Sequence, residues 1–174
     1  DLTVHILIDA SQSMAYGQPA KIEFSAKLAA AIGYVGLIGY DRVSVEAFAG
    51  PRRQILRPVR GKGNASRLFS FLSGLSVGGE TELEDSCKSY VLRHRAKGVA
   101  ILLSDFFDPE GFEGALRRLL QSACDVYAVH VLARQEIEPD VTGDLKLLDS
   151  ETNAYTEISV SPALLKRYRQ NVDG

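Results

Sequence analysis

Short apolar runs alternate with segments of helical period from one end of the chain to the other, the pattern of βα units around a mostly parallel sheet. Thr3 to Asp9 reads as the first strand, and Ala20 to Ile38 as a long alanine-rich helix with Gly33, Gly36 and Gly39 at three-residue spacing. Small residues on one helix face let it lie close against a sheet. From Arg42 to Ala49, Val43, Val45 and Ala47 alternate with Ser44, Glu46 and Phe48, which predicts a half-buried strand. Gly50-Pro51 turns the chain, and Arg53 to Val59 can return antiparallel at the sheet edge, where Pro58 is tolerable.

Asn64 is placed to cap a helix carrying Leu68, Phe69, Leu72 and Leu75. Gly78-Gly79 breaks the chain, and Thr81 opens a helix with Leu83, Cys87, Tyr90, Val91 and His94 on one face. Val99 to Leu103 is apolar on both faces, as a central parallel strand is. Asp108-Pro109 has the form of a cap and a first helical residue, ahead of a stripe of Phe112, Leu116, Leu119 and Leu120. Asp125 to Leu132 is the next strand. Two apolar stretches between Gly143 and Val160 flank a polar Asp149 to Asn153, predicting a hairpin or edge elaboration, and Ser161-Pro162 begins a last helix through about Gln170. The expected architecture is an α/β, Rossmann-like three-layer sandwich: a mostly parallel central sheet, one antiparallel edge strand, and helices on both faces.

With 174 residues, 45% of them hydrophobic, the chain can bury a full core as one domain spanning 1–174. A formal net charge of -2 with 24% charged residues points away from nucleic acid and from membrane contact by this domain. No apolar run reaches the roughly 18 to 20 residues of a membrane span, and no signal peptide opens the chain. A strand begins almost at once after Asp1, so the expectation is a cytoplasmic domain excised from a longer chain, with any membrane anchor of the parent in the missing part. Cys87 and Cys124 fit no metal spacing and read as buried free thiols. Between Gly50 and Gly79 the charges are Arg52, Arg53, Arg57, Arg60, Lys62 and Arg67, without an acid. That segment is either a solvated edge or a docking surface for an acidic partner. From Glu136 to Glu157 acids dominate, with Lys146 alone against them. His5 and His130 lie within strands, where a packed neutral imidazole is the default.

The first strand ends in Asp9 and runs into Ala10-Ser11-Gln12-Ser13-Met14. Hard oxygen ligands at alternate positions on the rim of a sheet suit Mg²⁺. Asp105 closes the central apolar strand; if the two strands are neighbours, both carboxylates face one gap at the carboxyl ends, where such sheets bind ligands. Thr81, after the glycine pair, can bring in a third hydroxyl. Asp9, Ser11, Ser13, Thr81 and Asp105 then offer two carboxylates, which roughly balance a divalent ion, and three hydroxyls, which add no charge.

Asp9-Ala-Ser11-Gln-Ser13-Met14, Gly79-Glu80-Thr81 and the strand-closing Asp105 resemble the metal-ion-dependent adhesion site of von Willebrand factor A domains, in order and in element. More narrowly, Asp41-Arg-Val-Ser-Val, Leu103-Ser-Asp105-Phe and Asp149-Ser-Glu151-Thr resemble the bacterial branch known as domain-of-unknown-function family fifty-eight, often encoded beside MoxR-type AAA+ ATPases. The resemblance implies a metal-dependent interaction module, with Mg²⁺ (Mn²⁺ or Ca²⁺ as alternatives) bound by those five residues. An acidic residue of a protein partner, the MoxR-type ATPase or its client, would complete the octahedron. The departure is at Ser104-Asp105-Phe106, where many A domains have Thr-Asp-Gly; this leaves open whether Asp105 ligates directly or through water.

Each piece alone has a structural explanation: Asp9 and the serines as helix caps, Thr81 with Glu84 as a capping box, Asp105 as a strand-end acid. The rival class is a metal-dependent phosphoryl-transfer or hydrolytic enzyme. A haloacid-dehalogenase-type phosphatase needs an aspartate at position 11, which is Ser; no histidine or lysine stands as a base near Asp9, and no glycine-rich phosphate loop follows the strand. A scaffold with a decayed site is a third alternative, which the intact ligand set opposes.

Overall fold

Parallel pairing of apolar strands organises the computed structural model, which describes residues 2–139, 143–149, 155–165 and 168, the side chains of 143–147 and 158–160 excepted. Strand β1 (Thr3–Asp9) pairs in parallel with β2 (Arg42–Ala49) on one side and β4 (Gly98–Ser104) on the other. Strand β3 (Arg52–Arg60) returns antiparallel on β2, with a register shift between Val43 and Val45, and β5 (Cys124–His130) extends the far side of β4 in parallel. The order is β3-β2-β1-β4-β5. The antiparallel edge is thus as expected, and Pro58 sits where the pairing is irregular.

Helices α1 (Lys21–Ile38) and α2 (Ala65–Ser73) cover one face, packing on Val4, Ile6, Ile8, Val43, Val45 and Ala47. A Cβ at Gly33 would stand 2.8 Å from Leu68 Cδ2 of α2, and one at Gly36 2.9 Å from Val43 Cγ2 of β2, so the absent side chains set how closely α1 lies on α2 and on the sheet. Helices α3 (Leu83–Arg93) and α4 (Glu113–Leu119) cover the other face, where Leu7, Phe48, Leu83, Cys87, Tyr90, Ala100 and Leu102 form a second core. Because α3 caps that face, β2 is buried on both sides, Ser44, Glu46 and Phe48 included, and not half-buried as its alternation predicts. The polar positions are satisfied in place: Arg93 donates to Glu46 at 2.6 Å, and Ser44 Oγ meets His5 Nδ1 at 2.8 Å.

Three local expectations are corrected. Asn64 does not cap α2 with its side chain, which donates back to Arg60 O at 2.8 Å. Helix α3 starts at Leu83, two residues beyond Thr81, and Asp108 takes the Leu83 N–H at 2.8 Å. Asp108 therefore clasps α3 from a turn, and α4 begins later, at Glu113, leaving Phe112 and Leu120 exposed. His130 is also exposed, because β5 is an outer strand of its sheet. Both cysteines are free thiols, as expected, but only Cys87 is buried; Cys124, at the start of the outer strand β5, is partly exposed. A short α5 (Arg134–Ile137) follows β5, and β6 (Gly143–Leu148) pairs antiparallel with β7 (Tyr155–Val160), the expected hairpin. Residues 162–165 are helical; the expected continuation to Gln170 falls largely outside the described residues.

Candidate metal centre

Strand order reverses between β1 and β4, so the crevice at their carboxyl ends is where an α/β sheet of this kind binds ligands. Pairing of Ile8 with Leu103 sets Asp9 beside Ser104. Ser104 Oγ donates to Asp9 Oδ2 at 2.6 Å and accepts the Phe106 N–H at 2.9 Å. Asp9 Oδ1 accepts the Ser11 N–H at 2.9 Å. Burial pushes the Asp9 carboxyl up to about 6; the hydrogen bonds from Ser104 and Ser11 oppose that rise, and the charge of Asp105 adds to it. Its hydrogen bonds come from neutral donors, and the neighbouring Asp105 adds like charge.

Past Asp9 the chain turns into a 3₁₀ segment (Gln12–Ala15) anchored by the buried Met14. The Ser11 and Ser13 hydroxyls end 3.1 Å apart. Adjacent ligands of a Mg²⁺ octahedron at about 2.0–2.1 Å from the ion stand about 3 Å from each other, so the two hydroxyls span one such edge. The glycine-pair loop is tied to this turn by Gly78 N–H to Ala10 O and Gln12 N–H to Gly79 O, both 3.0 Å. Gly78 and Gly79 hold φ of 143° and 93°, values that favour glycine. Thr81 is buried in the same loop, before α3, and the capping box with Glu84 is not the cap that α3 uses.

Asp105 is fully buried, and both its oxygens have partners: Oδ1 accepts the Phe107 N–H at 3.0 Å, and Oδ2 accepts from Lys21 Nζ at 2.7 Å. Lys21, 2% exposed, also reaches Glu136 Oε1 at 2.5 Å and lies 5.2 Å from the Phe107 ring centre. Glu136 Oε2 in turn takes the Ala133 N–H at 2.7 Å, closing the first turn of α5. Lys21 is a residue of this neighbourhood that sequence reading did not single out, and its contacts are to Asp105 and Glu136 and not to Asp9. Sequence reading also missed Ser104 and Glu136. The available signal was weak: a lysine at the first position of a helix opposes the macrodipole and needs a reason to be there.

Phe106 holds φ of 56°, the left-handed conformation a glycine would take easily, with its ring packed edge-on against Phe112 and His130. Phe106 thus holds, at some cost in strain, a conformation that a glycine takes without it. Among the described residues no three His, Cys, Asp or Glu side chains converge. The donors here are instead a desolvated carboxylate beside paired hydroxyls, with a second carboxylate one step away. That set fits a hard divalent cation held by Asp9, Ser11 and Ser13, with Thr81 on the adjoining loop and Asp105 engaged elsewhere.

The model of one family, Protein of unknown function DUF58, matches residues 1–173. The chain belongs to the DUF58 family. Two curated relatives of this DUF58 domain are uncharacterized proteins, Rv1480 of Mycobacterium tuberculosis and Mb1516 of Mycobacterium bovis, each 25% identical over 170 residues. Those matches take in 94% of this chain but 53% of theirs, so the chain spans about half the length of the curated relatives it matches. Among solved structures it is similar to an aerotolerance-related membrane protein from Bacteroides fragilis, at 17% identity and a TM-score of 0.62 over 100% of this chain and 89% of that one. It is also similar to the VWA domain of SpRpn10, at 18% identity and a TM-score of 0.47 over 74% of this chain and 87% of that one. The α/β sandwich expected from the von Willebrand factor A resemblance is the fold observed for this DUF58 domain.

Proposed function

We propose that this DUF58 domain is a divalent-metal-dependent protein-interaction module. Its von Willebrand factor A-like fold suits such a module, and the buried Asp9 beside the paired Ser11 and Ser13 hydroxyls is the observation that supports the metal. In this reading Asp9, Ser11, Ser13 and Thr81 hold Mg²⁺, with Mn²⁺ or Ca²⁺ as alternatives, and Asp105 stands behind them. When bound, the ion supplies an electrophilic position for an anionic oxygen. Ser104 and the Ser11 N–H orient Asp9, and the Gly78-Gly79 loop that leads to Thr81 is hydrogen-bonded to the serine turn. The ligand is an aspartate or glutamate of a partner protein, either a MoxR-type AAA+ ATPase or its client, in the assembly or activation of another protein. Cytoplasmic placement, no nucleic-acid or membrane contact by this domain, and a membrane-anchored parent belong to the same proposal. Among the described residues, no helix is long and apolar enough to cross a membrane.

Titration calorimetry of Mg²⁺ and Mn²⁺ into the EDTA-stripped domain tests the proposal, with Asp9→Ala as control. Saturable binding that the substitution abolishes is expected. Absence of binding by folded wild-type protein overturns the metal site. Metal-dependent turnover of a generic phosphate ester, also lost in Asp9→Ala, would move the domain to the phosphoryl-transfer and hydrolytic class.

A further inference from the structure

The two carboxylates that look equivalent in the sequence are placed very differently. Asp9 is desolvated among neutral donors, whereas Asp105 already has a cation, the Lys21 ammonium at 2.7 Å. Lys21 is sealed in, its side chain 1% exposed, and it opens α1, where a positive charge opposes the helix dipole. A buried ammonium persists only when it is paired and hydrogen-bonded. Asp105 and Glu136 supply that pairing, each carboxylate being fixed through its other oxygen by a backbone N–H, of Phe107 and Ala133 respectively. The cluster is closed on itself.

We propose that Lys21 is a positioning residue that sets the charge of the metal site. By holding Asp105, it keeps that carboxylate out of direct coordination and leaves Asp9 as the single carboxylate on the ion. A divalent ion with one carboxylate and neutral hydroxyls retains a net positive charge. The chain's own ligands then bind it weakly, and an acidic group from a partner completes it. This inference rests on the metal reading above, and it makes the partner's carboxylate a condition of tight metal binding and not merely a contact of the finished site.

A charge-neutral exchange tests it. Asp9, Asp105 and Glu136 against Lys21 carry a net charge of about −2, and the double variant Lys21→Met/Glu136→Gln leaves Asp9 and Asp105, also about −2. Any gain in Mg²⁺ affinity therefore comes from releasing Asp105 and not from a change in overall field. Calorimetry on the 174-residue chain is expected to show the double variant binding Mg²⁺ at least tenfold more tightly than wild type, about 1.4 kcal/mol. Wild-type binding with no tightening in the folded variant overturns the role of Lys21 and leaves the metal site standing; no binding by either overturns both. A second measurement needs no substitution: the Lys21 ¹⁵N ammonium resonance, protected by burial, should persist at saturating Mg²⁺. Its loss on metal addition would mean that the ion has taken Asp105 from Lys21, which also overturns the inference.

Discussion

Asp9→Asn should stabilise the metal-free domain. The carboxyl is buried with both oxygens hydrogen-bonded, yet burial still raises it from its ordinary 3.8 to about 6. A folded-state value above the unfolded one means that the acid contributes fully to stability below about pH 4, and that this contribution is lost as the pH rises through about 6. At pH 7 the difference corresponds to about 3 kcal/mol. Asparagine keeps the acceptor for the Ser11 N–H but reverses the bond with Ser104, whose oxygen already accepts from Phe106; that offsets about 1 kcal/mol. The net gain is about 2 kcal/mol, or about 4–8 °C in Tm for a domain of this size. Urea and thermal unfolding in EDTA at about pH 7 and about pH 4 measure it. The stabilisation should be present at the higher pH and vanish at the lower. In Mg²⁺ the order should reverse, because wild type alone gains from the ion. If Asp9→Asn loses 1 kcal/mol or more in EDTA at neutral pH (about the worth of one hydrogen bond), the carboxylate is a structural hydrogen-bond centre, and the argument that its ionisation is held against a cost is refuted.

Two further outcomes follow from residues away from Asp9's own bonds. Burial, with the charge of His94, lowers His5 from 6.5 to about 4 against the opposing pull of Glu46; Ser44, Tyr90 and His94 pack around the ring, and Arg93 and Arg53 hold Glu46. A depressed folded value gives stability that is present above about 6.5 and lost as pH falls toward about 4, so unfolding free energy should drop by about 2 kcal/mol between about pH 7 and about pH 5, and His5→Leu should remove most of that slope. At position 106 the left-handed backbone separates strain from packing: Phe106→Gly should be about 1 kcal/mol more stable in urea than Phe106→Ala, and equal stability would show that φ relaxes once the ring is gone.

Much of this was legible because strands declare themselves when one rule dominates. Val99 to Leu103 is apolar at every position, and its placement between β1 and β5 follows from burial on both faces. Asp9 and Asp105 were found for the same reason, as polar stops at the ends of apolar runs. The failures share a different cause, in that each depended on a partner distant in sequence. Ser44 and Glu46 look solvent-facing until α3 brings Tyr90 and Arg93 over them. Thr81 and Glu84 form a plausible capping box, yet Asp108, 25 residues on from Leu83, supplies the cap. Lys21 stands against the helix dipole with no partner near it in sequence, and only the fold places it against residues 84 and 115 positions away.

In the proposed metal site, that last contact sets the two carboxylates apart. Had Asp9 and Asp105 been equivalent, the ion would be neutralised by the chain, and a partner's carboxylate would add little. Lys21 breaks the equivalence and also links the rim to the frame: its own helix α1, the loop after β4, and α5 through Glu136 meet at one ammonium. Tyr168 extends the same chain of contacts, donating to Glu136 O at 2.7 Å. The two carboxylates can consequently be tested apart. Asp9→Asn reads the cost of an acid held without a cation, and the Lys21/Glu136 exchange reads the cation that the chain provides for the other. A domain that gains stability from the first and metal affinity from the second is one whose site is left deliberately incomplete by its own residues, as an interaction module requires and a self-sufficient metal cage does not.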